Sequence, residues 1–249
     1  MPNLCRLFAV SFLVSLFDYY FYKNSSVDVL KQFAEWNIKN IIWDVDGTLA
    51  DINHAYYCFI KNHPLFKDQF KNFMYKDLDV ALPVEKTKYG AIELKTHPTL
   101  GEELDKAFCE SNDYYFDRPL YYGTKKVLNK LNNLNYKQFI LSAGFNAEKK
   151  IKLLNQLFID FPFIKIEVVL HDANGMSEGN TKEQKILDLL KKYNLNNKET
   201  VLIDDRIYNI HSALNAGIRA IRFRSEFTTP LPDNLSFVPE IEDIRQIIA

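Results

Sequence analysis

The stretch that most constrains this chain is residues 41–51, IIWDVDGTLAD. Ile41, Ile42 and Trp43 run directly into Asp44, Asp46 follows two positions later, and Gly47-Thr48 close the segment. An unbroken apolar run suits a strand buried on both faces of a parallel sheet, and carboxylates at its C-terminal end fall on the edge where such sheets bind ligands. Side chains two apart in extended backbone share a face, so Asp44 and Asp46 enter one crevice unless the strand breaks between them. Gly47 permits a sharp turn that a Cβ would resist. Alone, the pattern also fits an ordinary strand followed by an Asp-Gly turn. The decision rests on whether the rest of the chain supplies partners for two adjacent carboxylates.

From residue 122 onward, helical and strand patterns alternate. Helical spacing over 124–134, 147–158, 182–193 and 208–216 separates β-branched runs at 137–144 (KQFILSAG), 166–171, 199–205 (ETVLIDD) and 219–223. Gly217 supplies a stop signal for the helix before it, and 240–248 reads as a last helix. This rhythm predicts an α/β fold, a doubly wound, Rossmann-like parallel sheet with right-handed crossovers. Residues 53–118 differ. They show helical pieces near 55–61, 64–75 and 98–111, first-turn prolines at Pro64 and Pro98, a mixed-charge loop at 76–96, and no convincing buried-type strand. A small helical insertion is expected there.

The start of the chain is apolar from 4 to 22, yet its cleanest run, 7–17, is shorter than the ~20 residues that span a bilayer. Asp18-Tyr19-Tyr20-Phe21-Tyr22 is a poor cleavage region for a signal peptide. A helix packed on or near the core is the favoured reading, with a membrane-associating segment or a signal peptide as alternatives. Ser25 or Ser26 is then expected to cap a second helix carrying Val27, Leu30, Phe33 and Ala34.

With 249 residues, 47% of them apolar, the chain has ample material for one large α/β domain with an insertion. Its formal net charge is −1 and no basic run approaches a nucleic-acid footprint, so that partner class is not expected. Cys5, Cys58 and Cys109 form no CxxC pair; a reducing, cytoplasmic setting suits them better than a disulfide framework.

The chemistry-bearing residues fall at strand ends and one helix start: Asp44 and Asp46 after the first strand, Ser142 after the second, Lys182 opening a helix, and Asp204-Asp205 ending a later strand. Each alone is an ordinary cap, turn or solvated residue. In a parallel sheet, however, the carboxyl ends of all strands share one edge, so the four groups converge. Crowded carboxylates repel, and a hard divalent cation relieves them. Mg²⁺ takes one or two carboxylates plus waters and substrate phosphate, and Lys182 with Ser142 would supply charge and a donor to phosphate oxygens. The five histidines are dispersed and form no HxxxH zinc pattern.

DVDGTL, ILSAG, Lys182 within GNTKEQKI, and VLIDDRIYNI together resemble the four ordered motifs of the haloacid dehalogenase-like hydrolase superfamily, over about residues 40–223. The resemblance implies that Asp44 is the nucleophile forming an aspartyl-phosphate. It implies that Asp46 is the general acid/base and offers its backbone carbonyl to Mg²⁺. Thr48, Ser142 and Lys182 match phosphate-orienting and charge-stabilising positions, and Gly47, Ala143 and Gly144 match the backbone around bound phosphate. Asp44 and Asp205 match metal-holding positions, and Asp204 is the acidic neighbour within the metal set. Asn209 departs from the pattern, standing where a second acid is frequent. Lys182 also lacks the following Pro of many members, and the arm before Asp44 is longer than usual. Dehalogenases of the superfamily lack the second Asp of the first motif, so the presence of Asp46 disfavours that activity. The insertion resembles a cap over small substrates. The implied organisation is an N-terminal helical arm at 1–37, an α/β core at 38–52 and 119–249, and a cap at 53–118. The expected activity is Mg²⁺-dependent hydrolysis of a small phosphorylated metabolite. A phosphomutase using the same site, and a non-catalytic binding or scaffold protein, are the alternatives. Among cap positions, Asn53, His54, Lys61 and Arg118 are candidates to face the crevice.

Overall fold

The computed structural model describes residues 28–68, 70–72, 74–75, 104, 106–115, 118–144, 146–170, 182–224 and 230–248. The expectations for 4–22, for Ser25 and Ser26, and for the loop 76–96 lie outside them. The first described helix, α1 (Val29–Glu35), is capped by Asp28, whose carboxylate accepts from the Lys31 amide at 2.9 Å, rather than by either serine. Among the described residues no helix is long and apolar enough to cross a membrane.

Strands β1 (Asn40–Trp43), β2 (Lys137–Gly144), β3 (Lys165–Leu170), β4 (Thr200–Asp204), β5 (Arg219–Phe223) and β6 (Glu240–Ile241) form one sheet in the order β3-β2-β1-β4-β5-β6. Every pairing is parallel. The expected doubly wound α/β architecture is therefore the observed one. Alternation along β1 sorts its side chains: Ile41 and Trp43 join one apolar layer with α1, α3 (Thr124–Asn133) and α4 (Ala147–Leu157), while Ile42 joins the other with α5 (Lys182–Lys192) and α6 (Ile207–Asn215). Each face of the sheet is thus covered, as an all-parallel sheet requires. The strand order reverses direction between β1 and β4, which opens a crevice beyond their carboxyl ends.

The chain leaves the core at Asp51 and returns at Pro119. The Asp51 amide donates to the Pro119 carbonyl at 2.9 Å and the Tyr121 amide to the Leu49 carbonyl at 2.9 Å, so the two passages lie side by side. Between them α2 (Ile52–Asn62) packs in a third apolar cluster of its own, built on Tyr56, Phe59, Phe108 and Tyr114. Phe108 sits at its centre, with ring centroids 5.0 Å from Tyr56 and 5.3 Å from Phe59. The described residues of the helix expected over 64–75 are not helical in the α sense: 64–68 and 70–72 are turns and 75 is in a 3-10 turn, with Phe66 and Phe70 buried in one cluster with residues of α2. The helix expected over 240–248 is likewise replaced by the two-residue β6 and a 3-10 turn, Ile244–Ile248.

Candidate active site

The segment after β1 does not continue as a strand. The Val45 carbonyl accepts from the amides of Thr48, Leu49 and Ala50, and Gly47, at φ 88°, donates to the Ala50 carbonyl at 2.8 Å. Asp44 stays tied to the sheet through its amide, which donates to the Ile203 carbonyl of β4 at 3.0 Å. This compact turn separates the two aspartates, so Asp44 and Asp46 find different partners.

Asp44 faces the end of β4. Lys182, the first residue of α5 and 3% exposed, places its Nζ 2.6 Å from Asp44 Oδ1 and 2.5 Å from Asp204 Oδ2. Asp44, Asp204 and Asp205 offer carboxylate oxygens within 4.8 Å of one another. Burial pushes the Asp44 carboxyl up to about 8, Lys182 opposing and the neighbouring Asp204 and Asp205 reinforcing the rise. Asp205 rises to about 6 through burial, opposed mainly by Arg206, whose Nε lies 3.1 Å from its Oδ2. Burial would lower Lys182, but Asp204 and Asp44 outweigh it and hold its ammonium above the ordinary lysine range.

The acidic pair at the end of β4 is not symmetric. Asp204 is saturated: besides Lys182 it accepts from the Arg206 amide at 2.9 Å and from the Asn209 amide group at 3.0 Å on both oxygens. Asn209 therefore suits its place, since its amide group donates to both Asp204 oxygens where a second carboxylate could only accept. Asp205 is held by its backbone, its carbonyl accepting from Arg222 Nε at 3.1 Å, while its buried Oδ1 has no hydrogen-bond partner among the described residues. Three buried carboxylates facing two cations, one with an unpartnered oxygen, fit a divalent cation of hard, oxygen-loving character. Asp44, Asp205 and the Asp46 carbonyl would hold it, and the saturated Asp204 would orient Lys182.

Two motif hydroxyls are also buried. Thr48 and Ser142 are fully buried, and neither oxygen has a partner among the described residues. Ser142 lies two residues past the end of the β1–β2 pairing, opposite Val168 of β3, with Ala143 and Gly144 following. Gly144 packs on the Lys150 stem, where a Cβ would meet Lys150 Cγ at 3.2 Å.

Asp46 faces the other way. Arg118 pairs with its Oδ1, and Lys150 Nζ lies 2.5 Å from its Oδ2. Burial would raise this carboxyl, but Arg118 and Lys150 overcome it and pull it down to about 2. Burial brings Lys150 down to about 8 against the pull of Asp46. Of the four cap candidates, Arg118 is the one ion-paired to a motif residue. His54 is exposed, and Lys61 donates to the carbonyls of Phe70 and Lys71. Asn53 is buried in α2. Sequence reasoning missed Lys150 and Arg206. Lys150 carried a signal: with Leu153, Leu154 and Leu157 it lies on one helical stripe, and a Lys on an apolar stripe needs a buried anion.

Residues 41–223 match the family model described as haloacid dehalogenase-like hydrolase. No curated protein matches the chain. Among solved structures, a haloacid dehalogenase-like family hydrolase from Streptococcus pneumoniae aligns with TM-score 0.55 and 16% identity, over 85% of this chain and 97% of that one. A HAD-superfamily hydrolase from Ehrlichia chaffeensis gives 0.52 and 19%, over 85% and 98%. A protein described as a predicted phosphatase from Clostridium acetobutylicum gives 0.51 and 17%, over 82% and 93%. At these identities the likeness to solved structures is one of fold. The motifs, the parallel sheet with its switch-point crevice, and a family match spanning most of the chain agree: this protein belongs to the haloacid dehalogenase-like hydrolases.

Proposed function

We propose that the protein is a Mg²⁺-dependent phosphatase that hydrolyses a small phosphomonoester by way of a phosphoryl group carried on Asp44. The observation that carries this reading is the Lys182 bridge between Asp44 and Asp204, set beside the partly unpartnered Asp205. Phosphoryl transfer asks mainly for positioning and charge neutralisation, and this cluster has both. A bound Mg²⁺ would supply the positive charge that the three carboxylates and the substrate phosphate lack.

In the first half, an Asp44 carboxylate oxygen bonds to phosphorus as the ester oxygen leaves, and protonated Asp46 gives that oxygen its proton. Lys182 neutralises charge beside Asp44, while the Thr48 and Ser142 hydroxyls are free to donate to the phosphoryl oxygens. In the second half, Asp46 as carboxylate takes a proton from water. The water oxygen bonds to phosphorus, the bond to Asp44 breaks, and the electron pair returns to the Asp44 carboxylate. The two carboxylates lie in different environments: Asp44 depends on cations such as Lys182 to ionise against its burial, and Arg118 with Lys150 favours the carboxylate form of Asp46, the form that takes the proton from water. The insertion between Asp51 and Pro119, with its own apolar cluster, serves as the cap over the crevice.

The test is a panel of phosphomonoesters with purified protein. Phosphate release with Mg²⁺, its arrest by EDTA, and labelled phosphate trapped on Asp44 are expected. Return of the label to a substrate hydroxyl instead of water would redirect the reading to a phosphomutase. Undiminished turnover in EDTA would remove the metal, and no turnover across the panel would remove the phosphatase.

A further inference from the structure

The acid/base role of Asp46 leaves an excess of buried charge beside it. One carboxylate is balanced by one cation, yet Asp46 has two, and both Arg118 and Lys150 have side chains with no exposure. Burying the second cation costs desolvation without cancelling any further charge. Holding two passages of chain together would need only one such pair. Two cations, one on each oxygen, achieve something one cannot. A carboxylate turns easily about its last side-chain bond; with Oδ1 held from one element and Oδ2 from another, that rotation is stopped.

The two cations come from different parts of the molecule. Lys150 projects from α4, anchored on the core. Arg118 stands where the insertion returns, and its second nitrogen donates to the Tyr114 carbonyl. The Tyr114 ring lies under both, 4.7 Å from the Arg118 guanidinium carbon and 5.5 Å from Lys150 Nζ, and the same ring packs 5.4 Å from Phe108. Asp46 is thus connected through Arg118 and Tyr114 to the apolar cluster of the insertion. The Asp46 side chain keeps 16% exposure. An ionised carboxylate has about four acceptor sites, so two remain after the cations are served.

We infer that Arg118 and Lys150 are positioning residues that aim the Asp46 carboxylate at the water attacking the phosphorylated Asp44, and that Arg118 makes this aim depend on the seating of the insertion. The inference rests on the phosphatase reading. Its signature is confined to the second half-reaction. With p-nitrophenyl phosphate the leaving group departs without a proton, so forming phospho-Asp44 does not require an aimed Asp46, whereas hydrolysing it does.

The test is rapid-mixing kinetics with p-nitrophenyl phosphate on the full chain carrying Arg118→Gln, Lys150→Gln or Arg118→Lys. Each Gln variant keeps one cation on Asp46, a balanced pair, which favours folding; circular dichroism checks it. Should a Gln variant not fold, Arg118→Lys, which keeps the charge but loses the second contact to Tyr114, decides. Expected are a nitrophenol burst within about threefold of the wild-type rate, a steady state slowed about tenfold or more, and labelled phosphate accumulating on Asp44. Such a loss is a part of the roughly 10²–10⁴-fold that general acid–base catalysis contributes. Arg118→Lys should recover part of the steady state. Burst and steady state falling together, or neither changing, overturns the positioning role. Asp46→Asn is the control. If it shows the burst and the other variants do not, positioning alone fails. If it shows none, the role of Asp46 in the phosphatase reading fails and the inference falls with it.

Discussion

Two aspartates a single residue apart differ in chemistry because a turn gives them different neighbours. Asp44, among acids, is pushed up to about 8, chiefly by burial, and needs cations to ionise; Asp46, between cations, is drawn down to about 2 against its burial. Asp46 is thus a ready base and a reluctant acid, which makes alkyl phosphates the demanding substrates. Asp44→Asn should leave almost no turnover on any phosphomonoester. Asp46→Asn should keep phospho-enzyme formation from an aryl phosphate but lose it with an alkyl phosphate, because alkoxide departure needs the missing proton. Equal losses for both variants on both substrates would contradict the assignment. Lys182 belongs to the same scale. Removing one partner of a buried ion pair typically costs about 3–5 kcal/mol, and Lys182→Met strands both Asp44 and Asp204. Adding Asp204→Asn to Lys182→Met should return part of that loss, so denaturant unfolding of the singles and the double should be non-additive. Additive losses would mean that Lys182 and Asp204 do not act as a pair.

At the scale of elements, the turn 47–49 shows how closely the first motif and the end of β4 are fitted. A Cβ on Gly47 would lie 2.6 Å from Asp205 Oδ2, and φ at 88° disfavours any side chain there. Gly47→Ala should therefore cost about 1–2 kcal/mol in backbone strain and also displace Asp205. The expected readout is a lower denaturation midpoint together with at least about tenfold more Mg²⁺ for half-maximal activity; an unchanged Mg²⁺ requirement would show that Asp205 is not held by this contact. The core elements were legible because burial on both faces leaves a strand such as KQFILSAG with an unbroken apolar centre, and it and RAIRF both match the sheet to the residue. The motif residues were legible because strand ends in a parallel sheet share an edge. The last helix was misread because Ile244 and Ile247, three apart, suit a 3-10 turn as well as an α-helix. Competing local bonds decide it: Asp243 Oδ1 accepts from the Arg245 amide at 2.8 Å, and Glu240-Ile241 are taken up pairing with β5. Over 64–75, Phe66 and Phe70 are placed by packing against α2, which outweighs local helical spacing. Lys150 was passed over because a Lys-Lys pair in a helix reads as solvent-facing, and its anion lies 104 residues away.

For the whole molecule, the acidic cluster ties the proposed metal site to the stability of the fold. Three buried carboxylates meet where β1, β4 and α5 converge, so their repulsion bears on the centre of the sheet. A cation that binds only the folded chain stabilises it by RT ln(1 + [L]/Kd), about 2.7 kcal/mol at a hundredfold excess over Kd. In a chain of 249 residues each kcal/mol moves the midpoint by about 2–4 °C, so saturating Mg²⁺ should raise the melting temperature by about 5–10 °C and EDTA should reverse it. Asp205→Asn separates this linkage from a general salt effect. Losing one of the crowded charges should make the cation-free variant at least as stable as the wild type, yet Mg²⁺ should no longer raise its midpoint. The two effects have opposite signs, because the carboxylate whose charge is removed is the one assigned to the proposed cation. A melting temperature that rises equally with Mg²⁺ in wild type and Asp205→Asn would place the cation elsewhere. A fall in the cation-free midpoint of Asp205→Asn would mean that Asp205 serves the fold rather than the metal.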